Sequence, residues 1–162
     1  MLNSKNSLTK LYSFIIFFYC DLMTEYKTPS VTADIFIFDE EINFILVKRK
    51  NNPFRDYWAL PGGFVEYGES VENGAIREAK EETNIDVTLK DLVGVYSDPD
   101  RDPRGHTITV AFTATGDISK MKADTDAKEV KIFSAEKLDE INIAFDHDKI
   151  IRDCLKKVKT TF

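Results

Sequence analysis

The sequence predicts a single α/β domain in which a mixed β-sheet lies between helices. Three observations carry that prediction. β-rich segments flank a glycine turn that runs into a helix within residues 62–85. A second helix with an apolar stripe lies at 147–158. The chain has 162 residues, 43% of them hydrophobic, which suffices for one buried core and not for two comfortable domains.

The first 22 residues stand apart from the rest. Lys5 and Lys10 precede the apolar run 11–20 in the manner of a secretory signal, but no small-residue cleavage pattern follows. The run is too short to span a bilayer. Residues 1–22 are therefore expected to be a dispensable extension upstream of a natural start at Met23, with the domain at 23–162.

From there the elements follow in order. Residues 31–39 (VTADIFIFD) are β-rich and partly alternating, a strand; Asp39, Glu40 and Glu41 make the turn; 44–50 (FILVKRK) return as a second strand. Its basic end places Arg49 near a loop at 51–57 that carries Arg55, and both are candidates to meet phosphate. Trp58 then leads into Gly62 and Gly63, whose missing side chains let an ion or a phosphate approach the backbone. Ser70 is placed to cap a helix ending near Thr83. Residues 85–89 and 92–96 read as two strand pieces joined by a charged turn. The loop 97–105 (SDPDRDPRG) is too polar for a core and offers the fork-shaped donors of Arg101 and Arg104. Residues 106–115 alternate cleanly as a strand, with His106 structural at its start. A polar loop at 116–128 precedes a strand at 130–133; Ser134 caps a short helix at 135–140, and Asp146 caps the one at 147–158.

The helix within 62–85 carries the chemistry. On ideal geometry of about 100° per residue, Glu82 falls about 40° from Glu78 and Glu81 about 60° to the other side. Three crowded carboxylates repel unless a cation sits among them. The oxygen-only donor set suits a hard ion such as magnesium, which is commonly shared with substrate phosphates. A Glu-rich helix is ordinarily just a solvated face, but Gly74 lies one turn before Glu78, where a missing side chain leaves room for a ligand. Glu69, eight residues before Arg77, offers a charged partner that would fix the segment's geometry.

The spacing Gly63, five residues, Glu69, seven residues, Arg77-Glu78-Ala79, one residue, Glu81-Glu82, one residue, Asn84-Ile85 resembles the Nudix box. The one departure is Asn84, where the family has glycine; that position ends the helix in a left-handed turn, for which Asn is the usual second choice. The resemblance implies an α/β/α sandwich. It further implies that Glu78, Glu81 and Glu82, with the carbonyl of Gly62, hold one or more magnesium ions, manganese being a substitute. Gly63, Glu69 and Arg77 would support the box. Members of the family often place a further acidic residue on a later loop as a base or metal ligand, for which Glu129, Asp126 and Asp124 are the candidates and Glu129 the choice. The run NPFRDYWALPGGFVE and the loop at 97–105 resemble those of ADP-ribose pyrophosphatases, a subgroup of the family. The implied reaction is hydrolysis of ADP-ribose to AMP and ribose 5-phosphate, with Arg49, Arg55, Trp58, Arg101 and Arg104 contacting substrate. A house-cleaning hydrolase of oxidised nucleoside triphosphates is the alternative within the family. A non-catalytic ADP-ribose sensor that regulates transcription is a weaker one, since such sensors carry an added DNA-binding domain.

The partner is expected to be a small nucleoside diphosphate derivative. A net charge of −6, from 22 basic and 28 acidic residues, and a pI near 5.0 argue against nucleic acid or an anionic membrane. Cys20 and Cys154 suggest neither a disulfide framework nor a zinc site, which fits a reducing cytoplasm. The resemblance extends to homodimers, which no residue pattern here specifies.

Overall fold

Strand β1 (Ser30–Phe38) is buried from Thr32 onward because it runs through a sheet covered on both faces. The computed structural model describes residues 27–122 and 127–161. The expectations for residues 1–22, Cys20, Asp124 and Asp126 lie outside them. After β1 come β2 (Phe44–Arg49), β3 (Trp58–Ala59), β4 (Gly62–Phe64), helix α1 (Val71–Thr83), β5 (Val87–Tyr96), β6 (Thr107–Gly116), β7 (Ala127–Phe133) and helix α2 (His147–Thr161). The strands order as β3-β2-β1-β6-β5, with β4 also pairing β1 and β7 pairing β2. β1 and β6 run parallel from Ser30↔Thr107 to Phe38↔Thr115, whereas the other pairs are antiparallel, so the sheet is mixed as expected.

Alternate residues of β1 serve two cores. Ala33, Ile35 and Ile37 pack toward α1 with Ala75 and Ala79. Phe36 and Phe38 pack toward α2 with Ile150, Ile151, Cys154 and Leu155. The result is the expected α/β/α sandwich. Asp34 lies on the second of these faces, between Thr32 and Phe36.

Helix α1 begins at Ser70, whose hydroxyl accepts the Asn73 N–H at 3.2 Å. It ends at Asn84 with φ 59° and ψ 17°, the left-handed cap anticipated there. Asn84→Ala is expected to lower stability by about 1 kcal/mol and Asn84→Gly to leave it unchanged or improved. Urea denaturation of both variants measures this; equal midpoints would remove the cap from the argument.

Several local expectations are corrected. In place of two strand pieces at 85–89 and 92–96 there is one continuous strand, β5 (Val87–Tyr96), with irregular pairing on β6 around Leu89, Leu92 and Gly94. The glycine turn expected at 62 is instead a short strand, 62–64, paired with β1, and residues 58–59 form another paired with β2. Residues 135–140 form a 3-10 helix, and the Ser134 side chain makes no cap bond to it. Asp146 gives its carboxylate to Arg101 and not to the start of α2. Ile76 is exposed at 39%, although its neighbours on α1, Ala75 and Ala79, are fully buried. Among the described residues no helix is long and apolar enough to cross a membrane.

Candidate active site

Pairing of β4 with β1 places Gly62 opposite Asp34 and Gly63 opposite Ala33, under the flank of α1. There a cleft of about 580 Å³ opens, with Glu78, Glu82 and Arg77 of α1 on one side and Gly62 and Gly63 on its floor. The glycines are required by close approach. A Cβ on Gly63 would overlap the carboxylate of Glu78, and one on Gly62 would meet the backbone of Ala33 and the side chain of Asp34. The Gly62 N–H donates to Glu82 Oε2 at 3.0 Å, which fixes that carboxylate at the cleft.

The crowding of the three glutamates is answered first by Arg77. Its Nη1 donates to Glu78 Oε1 at 2.8 Å and to Glu81 Oε2 at 3.2 Å, while Nε and Nη2 take both oxygens of Glu69 at 3.0 Å. Nη2 also reaches the Phe64 carbonyl, tying α1 to β4. Glu69 and Glu78 hold the guanidinium pKa above its ordinary value, and the hydrogen bonds from Arg77 hold Glu69 below its own. Burial pushes Glu78 upward, against the opposing pull of Arg77. Glu81 is half exposed and does not line the cleft. Gly74 does not leave room for a ligand: a Cβ there would press on Glu69 Oε2 at 3.1 Å and on Val65, so the space serves the Arg77–Glu69 brace.

The donor set suits a hard divalent cation. Glu78 and Glu82 are oxygen donors on one wall, and the two glycines open the floor beside them. Among the described residues no three His, Cys, Asp or Glu side chains form a metal-holding group. Of the expected ligand set, Glu78, Glu82 and Gly62 line the cleft and Glu81 does not. Two carboxylates remain, and magnesium is ordinarily held by one or two, with its other positions left to water and substrate phosphates.

Cations and aromatic rings line the same cleft. Arg49 is lined into it and commits Nε to the Pro53 carbonyl at 2.9 Å. Its guanidinium lies 4.6 Å from the Phe145 ring centroid. Burial and the nearby Arg104 charge lower its pKa, so it sits where an anion would be welcome. Arg104 stacks over Phe64 and Phe145 and is gripped by Asp102 through Nε and Nη2, the latter at 2.7 Å. Burial alone would raise Asp102, but the hydrogen bonds from Arg104 outweigh it and hold the carboxylate below its ordinary value.

Of four other expected contacts, Arg101 lines the cleft and three fall elsewhere. Arg101 reaches the cleft but is only 4% exposed, with Nε and Nη2 on Asp146 and Nη1 on Thr109 Oγ1 at 2.8 Å; it organises the floor. Arg55 is 65% exposed beside Asp56 and does not line the cleft. Trp58 is core wall, edge-on to Phe133 at 4.9 Å. Glu129 stands opposite Lys48 in the β2–β7 register and bonds Lys131 at 2.7 Å, which holds its pKa low. It too lies off the cleft.

The structure adds residues that the sequence reading passed over. Residues 142–144 pair with Trp58: its N–H donates to the Asn142 carbonyl and its carbonyl accepts from Ala144. This brings Phe145 and His147 to the cleft, where His147 Nδ1 accepts the Leu60 N–H at 3.0 Å. Asp34 completes the floor beside Thr32 and Thr109, which hydrogen-bond each other across β1 and β6. An acidic residue inside an apolar strand was the available signal for Asp34. His147 carried none beyond its place at a helix start.

Comparison with known proteins matches a NUDIX domain model over residues 28–154. An ADP-ribose pyrophosphatase of Methanocaldococcus jannaschii is 48% identical over 131 residues, which cover 81% of this chain and 76% of that protein. A MutT/nudix family protein from Enterococcus faecalis superposes with a TM-score of 0.76 at 31% identity, over 99% of this chain and 76% of that one. A bifunctional NMN adenylyltransferase/ADP ribose pyrophosphatase from Francisella tularensis, solved with AMP and a manganese ion, superposes with a TM-score of 0.74 at 29% identity. The match covers 94% of this chain and spans 48% of the Francisella chain.

Proposed function

The chain belongs to the Nudix family, and from that premise we propose that it hydrolyses the diphosphate of ADP-ribose to AMP and ribose 5-phosphate with magnesium, or manganese in its place. One observation carries the reading: the carboxylates of Glu78 and Glu82 share a single cleft with the guanidinium groups of Arg49 and Arg104. Acidic groups and cations in one cleft suit a diphosphate bound through a divalent ion. The 48% identical relative, an ADP-ribose pyrophosphatase, supports the choice of substrate.

In the reaction, water adds at one phosphorus, the bridging P–O bond breaks, and the two monophosphates leave. A divalent ion held by Glu78 and Glu82 would neutralise diphosphate charge and orient or activate the water. Arg77 keeps Glu78 in place, and the Gly62 N–H does the same for Glu82. Arg49 and Arg104 present their guanidinium groups to the phosphate oxygens, with Asp102 and the rings of Phe64 and Phe145 limiting their freedom.

The test is product analysis after incubation with ADP-ribose and, separately, oxidised dGTP, with and without magnesium. AMP and ribose 5-phosphate from ADP-ribose in the magnesium arm are expected. Cleavage confined to oxidised dGTP would overturn the substrate assignment. Arg49→Ala is expected to raise KM for ADP-ribose about tenfold, the equivalent of one charge-assisted hydrogen bond, with a smaller fall in kcat. Steady-state kinetics measures the split, and an unchanged KM would remove Arg49 from phosphate binding.

A further inference from the structure

Phe145 sits at the cleft with φ 55°, in the left-handed region where glycine or asparagine is the ordinary choice. A bulky side chain there costs folding free energy, and such strain persists only where the surroundings enforce it, most often at binding sites. Residues 142–144, just before it, are pinned to both backbone groups of Trp58. The Phe145 ring meets that of Phe54 edge-on, with centroids 4.8 Å apart, and Phe54 is itself left-handed at φ 60°. Two strained aromatic residues thus hold each other in place.

The Phe145 ring has two cations beside it. The guanidinium of Arg49 lies 4.6 Å from its centroid and that of Arg104 5.2 Å, both within reach of cation–π attraction. Like charges repel: burial and then the charge of Arg104 lower the Arg49 pKa, so each cation senses the other. The quadrupole of the shared ring attracts both and offsets part of that repulsion. Each arginine is also tethered by one edge. Arg49 gives Nε to the Pro53 carbonyl, and Arg104 gives Nε and Nη2 to Asp102. Among the described residues, Arg49 Nη1 and Nη2 and Arg104 Nη1 make no hydrogen bond. Donors therefore remain on two cations that share one ring, in the cleft that holds Glu78 and Glu82. A single phosphate can engage one of these guanidinium groups, and two adjacent phosphates can engage both.

We propose that Phe145 is a positioning residue that sets Arg49 and Arg104 as a paired receptor for two adjacent phosphates, so that the cleft selects diphosphate esters over monophosphates. The proposal rests on the reading of this cleft as the place where the diphosphate binds. Phe145 acts through the arginines and not on the reacting atoms. The same pairing assists turnover, because each product of diphosphate cleavage carries one phosphate and engages one arginine where the substrate engaged two.

The experiment measures dissociation constants of ADP and AMP by calorimetry, with magnesium, for the parent protein, Phe145→Leu and Phe145→Tyr. Leucine keeps apolar bulk and removes the ring, whereas tyrosine keeps the ring. In Phe145→Leu the preference for ADP over AMP should fall about tenfold, through weaker binding of ADP, and in Phe145→Tyr it should stay near the parent's. KM for ADP-ribose should rise by about the same factor in Phe145→Leu, with kcat within about threefold. Its melting temperature should stay within about 5 °C of the parent's. If Phe145→Leu fails to fold, Phe145→Met repeats the comparison. An unchanged preference in Phe145→Leu, an equal loss for ADP and AMP, or a loss that Phe145→Tyr shares would overturn the pairing and leave the reaction standing. The expected preferences in a parent that does not cleave ADP-ribose would overturn the reaction and leave the pairing.

Discussion

Glu82→Gln is expected to fold as the parent protein does and to lose about three orders of magnitude in kcat with ADP-ribose. The fold should survive because the substituted amide keeps an oxygen to accept the Gly62 N–H, which Glu82 Oε2 accepts at 3.0 Å. Charge is what the substitution removes. A neutral amide is a poor ligand for a hard divalent ion, and an ion's stabilisation of a transition-state phosphate is worth several kcal/mol. About 4 kcal/mol corresponds to the stated loss. Matched melting curves with retained magnesium-dependent turnover, within tenfold of the parent, would remove Glu82 from the metal site.

The second large effect is expected at Arg77, and it has a different signature. Arg77→Lys should lower both stability, by about 2–3 kcal/mol, and turnover. The guanidinium is 24% exposed and links Glu69, Glu78, Glu81 and the Phe64 carbonyl through its fork. An ammonium keeps the charge but cannot span those positions. Glu69 and Glu78, each 15% exposed, would be left incompletely paired beside each other. Thermal unfolding and kinetics on one preparation separate the outcomes. A variant with lowered activity and unchanged melting would mean that Arg77 touches substrate and is no brace.

The contrast explains why one part of the site was legible in the sequence and another was not. Glu78, Glu82, Arg77 and Glu69 lie within fourteen positions on one turn and helix, so their spacing along the chain maps directly onto distances. Asn84 was readable for the same local reason. The other half of the cleft is assembled across the sheet. Asp34 comes from β1, Arg49 from the end of β2, Asp102 and Arg104 from the loop before β6, and Phe145 and His147 from the approach to α2. No spacing rule joins those positions. Charge type alone favoured Arg55 and Arg101, but Asp56 and solvent take the first and Asp146 takes the second. Glu129 looked free as a loop acid; strand pairing put it opposite Lys48. The fold was easier, since alternation on β1 and the apolar stripe of α2 encode two cores without reference to distant partners.

The bond between the Leu60 N–H and His147 Nδ1 spans 87 positions of sequence. During vectorial synthesis, the glutamate helix and its arginine brace can form from neighbouring segments while this wall is still missing. The cleft becomes complete only when the stretch around 142–147 docks beside Trp58. High contact order thus falls on the wall built by residues 142–147 and low contact order on the glutamate helix. A partly made chain would carry the acidic helix before its cleft was closed by Phe145 and His147.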